Sequence, residues 1–199
     1  MNSHIHISKR QKEIIVGKLL GDGHLETQTQ GRSYRLKIEH SILQKAYVDW
    51  LYQELKSLAA SPPQMKEQMV CGRVYQKYWF NTVATPSLRF FAQQFYHERK
   101  KVVPKMIMRW LTPIALAVWY MDDGSIKSKH HQAKIINTQS FSRADIELLM
   151  RALKERYGIE SKRRAQKEGE QIYVLSKTID TFRNVIGSYV LPSMRYKID

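Results

Sequence analysis

Ile14-Ile15-Val16-Gly17-Lys18-Leu19-Leu20-Gly21-Asp22-Gly23 is an apolar run that ends in an acid followed by glycine. Ala115-Leu116-Ala117-Val118-Trp119-Tyr120-Met121-Asp122-Asp123-Gly124 is a second version of it. Each reads as a helix. An acid at a helix C-terminus is locally unfavourable, because the macrodipole puts partial negative charge there. The glycine that follows lets the chain leave the helix through a left-handed backbone. Placing a carboxylate twice where the backbone repels it points to a compensating cation. Two such segments in one chain suggest a shared metal site.

Outward from these helices the chain repeats itself. Ser8 opens the first helix as an N-cap. Gly17 and Gly21, four apart, share a face on which a second helix could approach closely, against a cost of about 1 kcal/mol for an interior glycine. A strand begins at His24, and a polar turn covers residues 27–32. Residues 34–40 alternate, with Tyr34, Leu36 and Ile38 on one face and Arg35, Lys37 and Glu39 on the other, the pattern of a half-buried strand. Residues 44–58 form an amphipathic helix on Tyr47, Val48, Leu51 and Leu55, closed by Ser61-Pro62-Pro63. Strands at 64–70 and 73–83 follow, with Tyr75, Tyr78 and Trp79 expected in the core. A helix at 86–97 leads to the basic run Arg99-Lys100-Lys101.

The second half predicts the same order: a strand at 125–127, a polar turn at 128–132, a strand at 133–138, and a helix at 142–157 capped by Gly158. A strand pair at 159–165 and 171–175 and a helix at 178–189 complete it. Residues 190–197 echo 102–106. Asp22 and Asp123 are 101 residues apart, while Leu51 and Leu55 match Leu149 and Leu153 at a spacing of 98. A duplication of this length decides the fold expectation, two α/β units related by a pseudo-two-fold axis.

Composition narrows the function. The chain has 199 residues, 43% of them hydrophobic, enough for a substantial core. Lys and Arg number 33 against 18 Asp and Glu, a formal charge of +15, and the pI near 9.9 is the footprint of a nucleic-acid binder. A basic ribosomal-type or membrane-surface protein is the alternative that charge alone leaves open. Cys71 is the only cysteine, which excludes a disulfide framework and a cysteine-based zinc site and predicts a reducing compartment. No apolar run reaches the length of a membrane span. The N-terminal residues do not read as a signal peptide, and His4 and His6 among them read as ordinary tail histidines. A chain that starts at Met1 without a flanking splicing block reads as free-standing.

If the repeated helices pack together, Asp22 and Asp123 come close, facing the same way. Two carboxylates suit hard divalent cations such as Mg²⁺, and the backbone carbonyls of Gly21 and Asp122 at the helix ends could add ligands. Two carboxylates over a basic surface fit phosphodiester hydrolysis, in which a metal-bound water attacks and a metal stabilises the leaving oxygen.

The two motif helices resemble the paired signature helices of the LAGLIDADG homing endonucleases, in the monomeric branch with two motifs per chain. The resemblance extends to Leu111-Thr112-Pro113, to Asn137-Thr138-Gln139-Ser140-Phe141 and to Pro192 through Tyr196-Lys197, and covers residues 14–197. It implies an α+β fold of two pseudo-symmetric αββαββα units, residues 8–101 and 111–197, whose antiparallel sheets form a saddle over the DNA major groove. It implies that Asp22 and Asp123 are the catalytic metal ligands, and that Lys101 and Lys197 support the two active sites. Such a lysine could orient a water or stabilise charge on the phosphate. The motif departs from the family pattern where Leu20 and Met121 occupy its first acidic position and where Val118 stands opposite Gly17.

Specificity is expected on the polar faces of the strands: Arg35, Lys37, Glu39, Arg73, Gln76 and Lys77 in the first half, and Lys134, Lys162, Arg164, Gln166 and Gln171 in the second. Arg and Lys can read guanine, Gln adenine and Glu cytosine in the major groove, though most such contacts go to phosphate. The expectation is an Mg²⁺-dependent monomer that cuts both strands of a long asymmetric double-stranded DNA site in intron homing, since a homodimer would demand a palindrome. Mn²⁺ is expected to substitute, and Ca²⁺ to bind without supporting cleavage. Bacterial cytoplasm or an organelle would be its setting. An RNA-binding intron maturase and a non-catalytic DNA-binding protein on the same scaffold are the alternatives, both disfavoured by the two retained acids.

Overall fold

Ser8 caps the first helix, its Oγ accepting from the Gln11 N–H at 3.2 Å while the Ser8 N–H donates to Gln11 Oε1 at 3.1 Å. This reciprocal pair satisfies two of the donors that a helix start leaves unpaired. In the computed structural model, which describes residues 5–128 and 131–199, helix α1 runs Lys9–Leu20. His4 and the centre of the polar turn at 128–132 lie outside the described residues. Then come β1 (His24–Glu26), β2 (Arg35–Ser41), α2 (Lys45–Glu54), β3 (Gln64–Val70), β4 (Arg73–Asn81) and α3 (Arg89–Phe95). A short connection holds β5 (Tyr96–His97), β6 (Lys100–Lys101) and α4 (Ile107–Trp110). The order then returns as α5 (Pro113–Asp123), β7 (Gly124–Ser128), β8 (His131–Ile136), α6 (Arg143–Tyr157), β9 (Ser161–Gln166), β10 (Gly169–Val174) and α7 (Ile179–Ile186), with a 3₁₀ segment at Pro192–Lys197. The αββαββα order occurs twice, as expected.

Three local expectations are corrected, and one short helix was not foreseen. Neither Gly23 nor Gly124 takes a positive φ; Gly124 leaves its helix in an extended conformation, with φ −78° and ψ 146°, rather than a left-handed one. The helix expected at 44–58 stops at Glu54, and residues 56–58 form a 3₁₀ turn. The helix expected through 97 ends at Phe95. Glu98 and Arg99 take left-handed φ values of 47° and 66°, which lets a two-residue turn join β5 to β6. The helical turn at α4 had no counterpart in the periodicity.

The chain forms two compact units, Met1–Lys12 with Asp22–Ala92, and Glu13–Gly21 with Gln93–Asp199. The first holds an antiparallel sheet in the order β1-β2-β4-β3. Helix α2 packs on it through Tyr47, Val48 and Leu51, and the sheet offers buried Leu36, Ile38 and Phe80. The hairpin of β3 and β4 turns at Cys71-Gly72, where both residues have positive φ. Tyr78 is buried as expected, but Tyr75 is 47% exposed, because it lies far along this hairpin where neither face is covered.

In the second unit the sheet order is β7-β8-β10-β9. Helix α6 starts in a capping box of Ser142 and Asp145 and ends at Gly158, whose φ of 67° makes it the left-handed cap. Residues 114–121 of α5 are all buried, as a helix apolar on every side must be. Gly17 of α1 belongs to this unit and lies against α5. A Cβ at that position would come within 2.6 Å of the Ala115 carbonyl oxygen and 2.7 Å of Val118 Cβ. The close helix approach expected at Gly17 is present, with Val118 filling the space.

Candidate functional site

Helix C-termini leave carbonyls without intrahelical partners, and these carry partial negative charge. At the end of α1, Lys101 Nζ donates to the Gly21 carbonyl at 2.7 Å. At the end of α5, Lys197 Nζ donates to the Met121 carbonyl at 2.5 Å and to the Asp122 carbonyl at 3.2 Å. Gly21 immediately precedes Asp22, and Asp122 immediately precedes Asp123. The same relation of lysine, carbonyl and following acid therefore stands twice in the chain.

Each lysine is held by its own device. Lys101 pairs with Tyr96 across the β5–β6 hairpin. Lys197 is buried, at 8% exposure, and its carbonyl accepts a 2.8 Å hydrogen bond from the Tyr120 hydroxyl. Tyr120 lies edge-on to Phe182 with ring centroids 4.9 Å apart. Burial pushes its phenol above the usual range. Tyr120 carried no sequence signal beyond its place in an apolar helix.

The acids differ in setting. The side chain of Asp22 is 51% exposed, and its Oδ2 lies 3.7 Å from His40 Nδ1. His40 is buried, within hydrogen-bonding distance of Gln44 Oε1 at 3.0 Å and packed on Tyr47. An open recess of about 440 Å³ beside Asp22 is lined in part by Lys37, Glu39, His40, Gln44 and Lys77. Asp123 is partly exposed, and its carbonyl accepts from the Asn137 N–H at 3.0 Å. The carboxylate of Asp122 is fully buried and contacts Lys18 Nζ at 2.7 and 2.8 Å, with the Lys18 side chain fully buried as well. Sequence reasoning missed His40 and Lys18. The parity of Leu36, Ile38 and His40 along β2 marked the first as inward-facing; the second had no signal.

Strand register sorts the candidate base readers. Opposed residues of an antiparallel pair share a face, and residues two apart along a strand do too. Glu39 opposes Trp79 and Ser41 opposes Lys77, so Arg35, Lys37, Glu39, Arg73 and Lys77 share one face of the first sheet. Gln64, Lys66 and Gln68 of β3 join them. Gln76 falls on the opposite face, with Tyr78, because it is out of phase by one residue. On this polar face Arg35 pairs with Glu26 at 2.9 Å and Lys66 with Glu39 at 2.6 Å. In the second sheet Gln171 opposes Arg164 and Tyr173 opposes Lys162, so Lys162, Arg164, Gln166 and Gln171 share a face. Gln171 Nε2 donates to Asn137 Oδ1 at 2.6 Å.

Lys134 is a correction. It opposes Val174 and lies two residues from Ile136, on the core face, with no exposed surface. Its ammonium donates to the Asp199 carbonyl at 3.2 Å. Burial, with repulsion from Arg183, lowers its pKa to about 8. A side chain in this position points away from any groove that the other face would meet.

A twice-repeated αββαββα order, with an acid and an anchored lysine at the end of each motif helix, defines a two-motif nuclease fold. The model for the LAGLIDADG DNA endonuclease family matches residues 12–182. DNA endonuclease I-ChuI of Chlamydomonas applanata is 34% identical over 96% of this chain and 95% of its own length. The cytochrome b mRNA maturase bI2 of Saccharomyces cerevisiae is 31% identical over 93% of this chain, which spans only 46% of that protein. The homing endonuclease I-WcaI, solved bound to its DNA recognition sequence, superposes with a TM-score of 0.92 at 23% identity, covering 98% of this chain and 88% of that one. The chain belongs to the LAGLIDADG DNA endonuclease family. Among the described residues no helix is long and apolar enough to cross a membrane.

Proposed function

We propose that this protein is a monomeric, site-specific homing endonuclease that hydrolyses a phosphodiester on each strand of an asymmetric double-stranded DNA target, with residues 8–101 and 111–197 serving one half-site each. The observation that carries this reading is the repeated arrangement at the motif-helix ends, Lys101 on the Gly21 carbonyl before Asp22 and Lys197 on the Asp122 carbonyl before Asp123.

In this reading Asp22 and Asp123 are the carboxylate ligands of divalent metal, with the carbonyls of Gly21 and Asp122 as further oxygen donors. A carbonyl oxygen has two lone pairs, so accepting from a lysine leaves one for a cation. The half-exposed carboxylate of Asp22 fits a hydrated, oxygen-seeking ion; Mg²⁺ is the working ion, Mn²⁺ substitutes, and Ca²⁺ supports binding alone. When bound, such an ion supplies a Lewis acid and a water acidified for attack on phosphorus. Lys101 and Lys197, fixed to helix ends rather than mobile, hold positive charge where the phosphate becomes more negative. The polar faces carrying Arg35, Lys37, Glu39, Arg73 and Lys77, and Lys162, Arg164, Gln166 and Gln171, supply groove contacts. In the compartment that holds its target, the protein acts on DNA drawn in by a charge of +15.

A maturase reading, in which the same scaffold binds intron RNA, draws on the relative of that name. One experiment separates the two. A randomised or genomic duplex pool incubated with the protein and Mg²⁺ yields one preferred cut site, lost in D22N and D123N while binding in Ca²⁺ persists. Uncut DNA, with tight binding to a structured intron RNA, would favour the maturase.

A further inference from the structure

Alternation fixes which way β1 points. Leu25 is buried, so His24 and Glu26 lie on the other face, and Glu26 stands directly across the ladder from Arg35. The Arg35 guanidinium meets Glu26 Oε2 side-on, with Nε at 3.1 Å and Nη2 at 2.9 Å. Glu26 Oε1 faces Lys37 Nζ at 3.8 Å, and Lys37 also lies 3.9 Å from Glu39. Partial burial opposes the charge on Glu26. The Arg35 hydrogen bond and the charges of Lys37, Arg35 and His24 nevertheless hold its carboxyl below the usual range. All of these residues belong to one compact unit. The second half carries Lys127 and Ala133 at the matched positions, 101 and 98 residues on, so the acid–arginine pair is particular to the first.

A guanidinium presents its N–H donors in a rigid, planar fork. The contact with Glu26 uses the side-on edge, Nε with one N–H of Nη2. The end-on edge, formed by Nη1 and Nη2, is the one that can meet O6 and N7 of guanine together. An arginine already tied on one edge loses less freedom when the other meets a base. A carboxylate beside it also repels phosphate, which penalises the competing backbone contact. We propose that Glu26 sets specificity through Arg35: it holds the guanidinium so that the end-on edge reads a guanine in the first half-site instead of neutralising a phosphate. Glu26 is a positioning residue in this role and touches no base itself.

This rests on the endonuclease reading, and the test separates the two. E26A, R35A and E26A/R35A are compared with the wild type in Ca²⁺, on single-base variants of the selected duplex and on a duplex of arbitrary sequence. The pair is partly exposed on an edge strand, where an ion pair adds little stability, so E26A folds. R35A lowers the preference for guanine at one base pair about tenfold. E26A lowers it at that same base pair, by at least about threefold, and at no other. The double variant loses no more than R35A, because both changes remove one contact. On the arbitrary duplex E26A binds more tightly than the wild type, with a salt slope steeper by about one unit, and the added R35A change removes that gain. Full preference in E26A, a loss spread evenly over the site, or a double variant whose loss is the product of the two single losses overturns the inference. A plain surface ion pair would move none of these readouts. If the wild type prefers no duplex, the endonuclease reading falls, and Glu26 is judged on the arbitrary duplex alone: an E26A affinity and slope equal to the wild type's overturn the inference there too.

Discussion

Lys101 Nζ stands 2.7 Å from the carbonyl oxygen of Gly21, and this contact has a twin in Lys197 on the carbonyl of Asp122. Each ammonium is aligned by backbone carbonyls at the end of a motif helix, which fixes where its charge stands. K101M and K197M should each slow cleavage by on the order of 10²–10³-fold, the usual loss for a fixed charge facing a transition state. Binding to the target in Ca²⁺ should change little. If affinity fell as far as rate, the lysines would be recognition residues rather than catalytic ones.

Tyr120 holds the segment that carries Lys197, through a hydrogen bond to its carbonyl. Y120F leaves a buried carbonyl short of a donor and should cost about 1–2 kcal/mol, with a smaller loss of rate than K197M. The sign of the pH effect follows from its raised pKa. An unfolded phenol ionises near 10 while the buried one keeps its proton, so the unfolded state binds fewer protons and stability falls as pH rises past about 10. Thermal melts should show the wild type losing more than Y120F above that pH. Parallel curves would mean that the hydroxyl is less buried than the geometry indicates.

Lys134 titrates in the opposite sense. Its folded pKa near 8 lies below the 10.5 of a free lysine, so between those values the unfolded state holds the extra proton and stability rises with pH. K134M removes a buried charge and should raise the melting temperature at pH 7 by about 2–6 °C. That advantage should shrink toward pH 10. A variant less stable at pH 7 would show that the contact with the Asp199 carbonyl outweighs desolvation.

Gly17 is required by the Ala115 carbonyl as much as by Val118. G17A places a Cβ within 2.6 Å of that backbone oxygen, which cannot rotate away, and overpacking of this kind costs about 1–3 kcal/mol. G17A/V118G, which removes the Val118 Cβ at 2.7 Å and Cγ1 at 2.9 Å, should therefore recover little of the lost stability, as read by chemical denaturation. Full recovery would mean that the side-chain contact alone sets the helix approach.

What the residue order made legible was periodic and local. The alternation of 34–40, the N-cap at Ser8, the Gly158 cap and the ends of the two motif helices all rest on spacing within one element, and each recurs in the structure. Lys18 was invisible because a lysine in a helix reads as a solvated, helix-favouring residue. Its partner Asp122 is 104 positions away. Lys134 misled for a related reason: flanked by Ala133 and Ile135 it imitates an outward polar residue, and only pairing with Val174 reveals that it faces the core.

The same register makes the DNA-reading faces testable. Lys162 and Arg164 share a face with Gln171, whereas Gln76 stands on the reverse of its sheet. A lysine or arginine that neutralises a phosphate lowers the salt dependence of binding by about one unit of slope when removed, and one that reads a base instead costs about 1–3 kcal/mol and relaxes specificity at that position. K162A and R164A should each show one of these signatures when affinity in Ca²⁺ is measured across a salt series and a panel of single-base variants. Q76A should show neither, because a side chain one residue out of phase projects from the other surface of the strand. A loss in Q76A equal to that in R164A would place DNA on the side that the register assigns to Tyr78, and the assignment of both polar faces would have to be reversed.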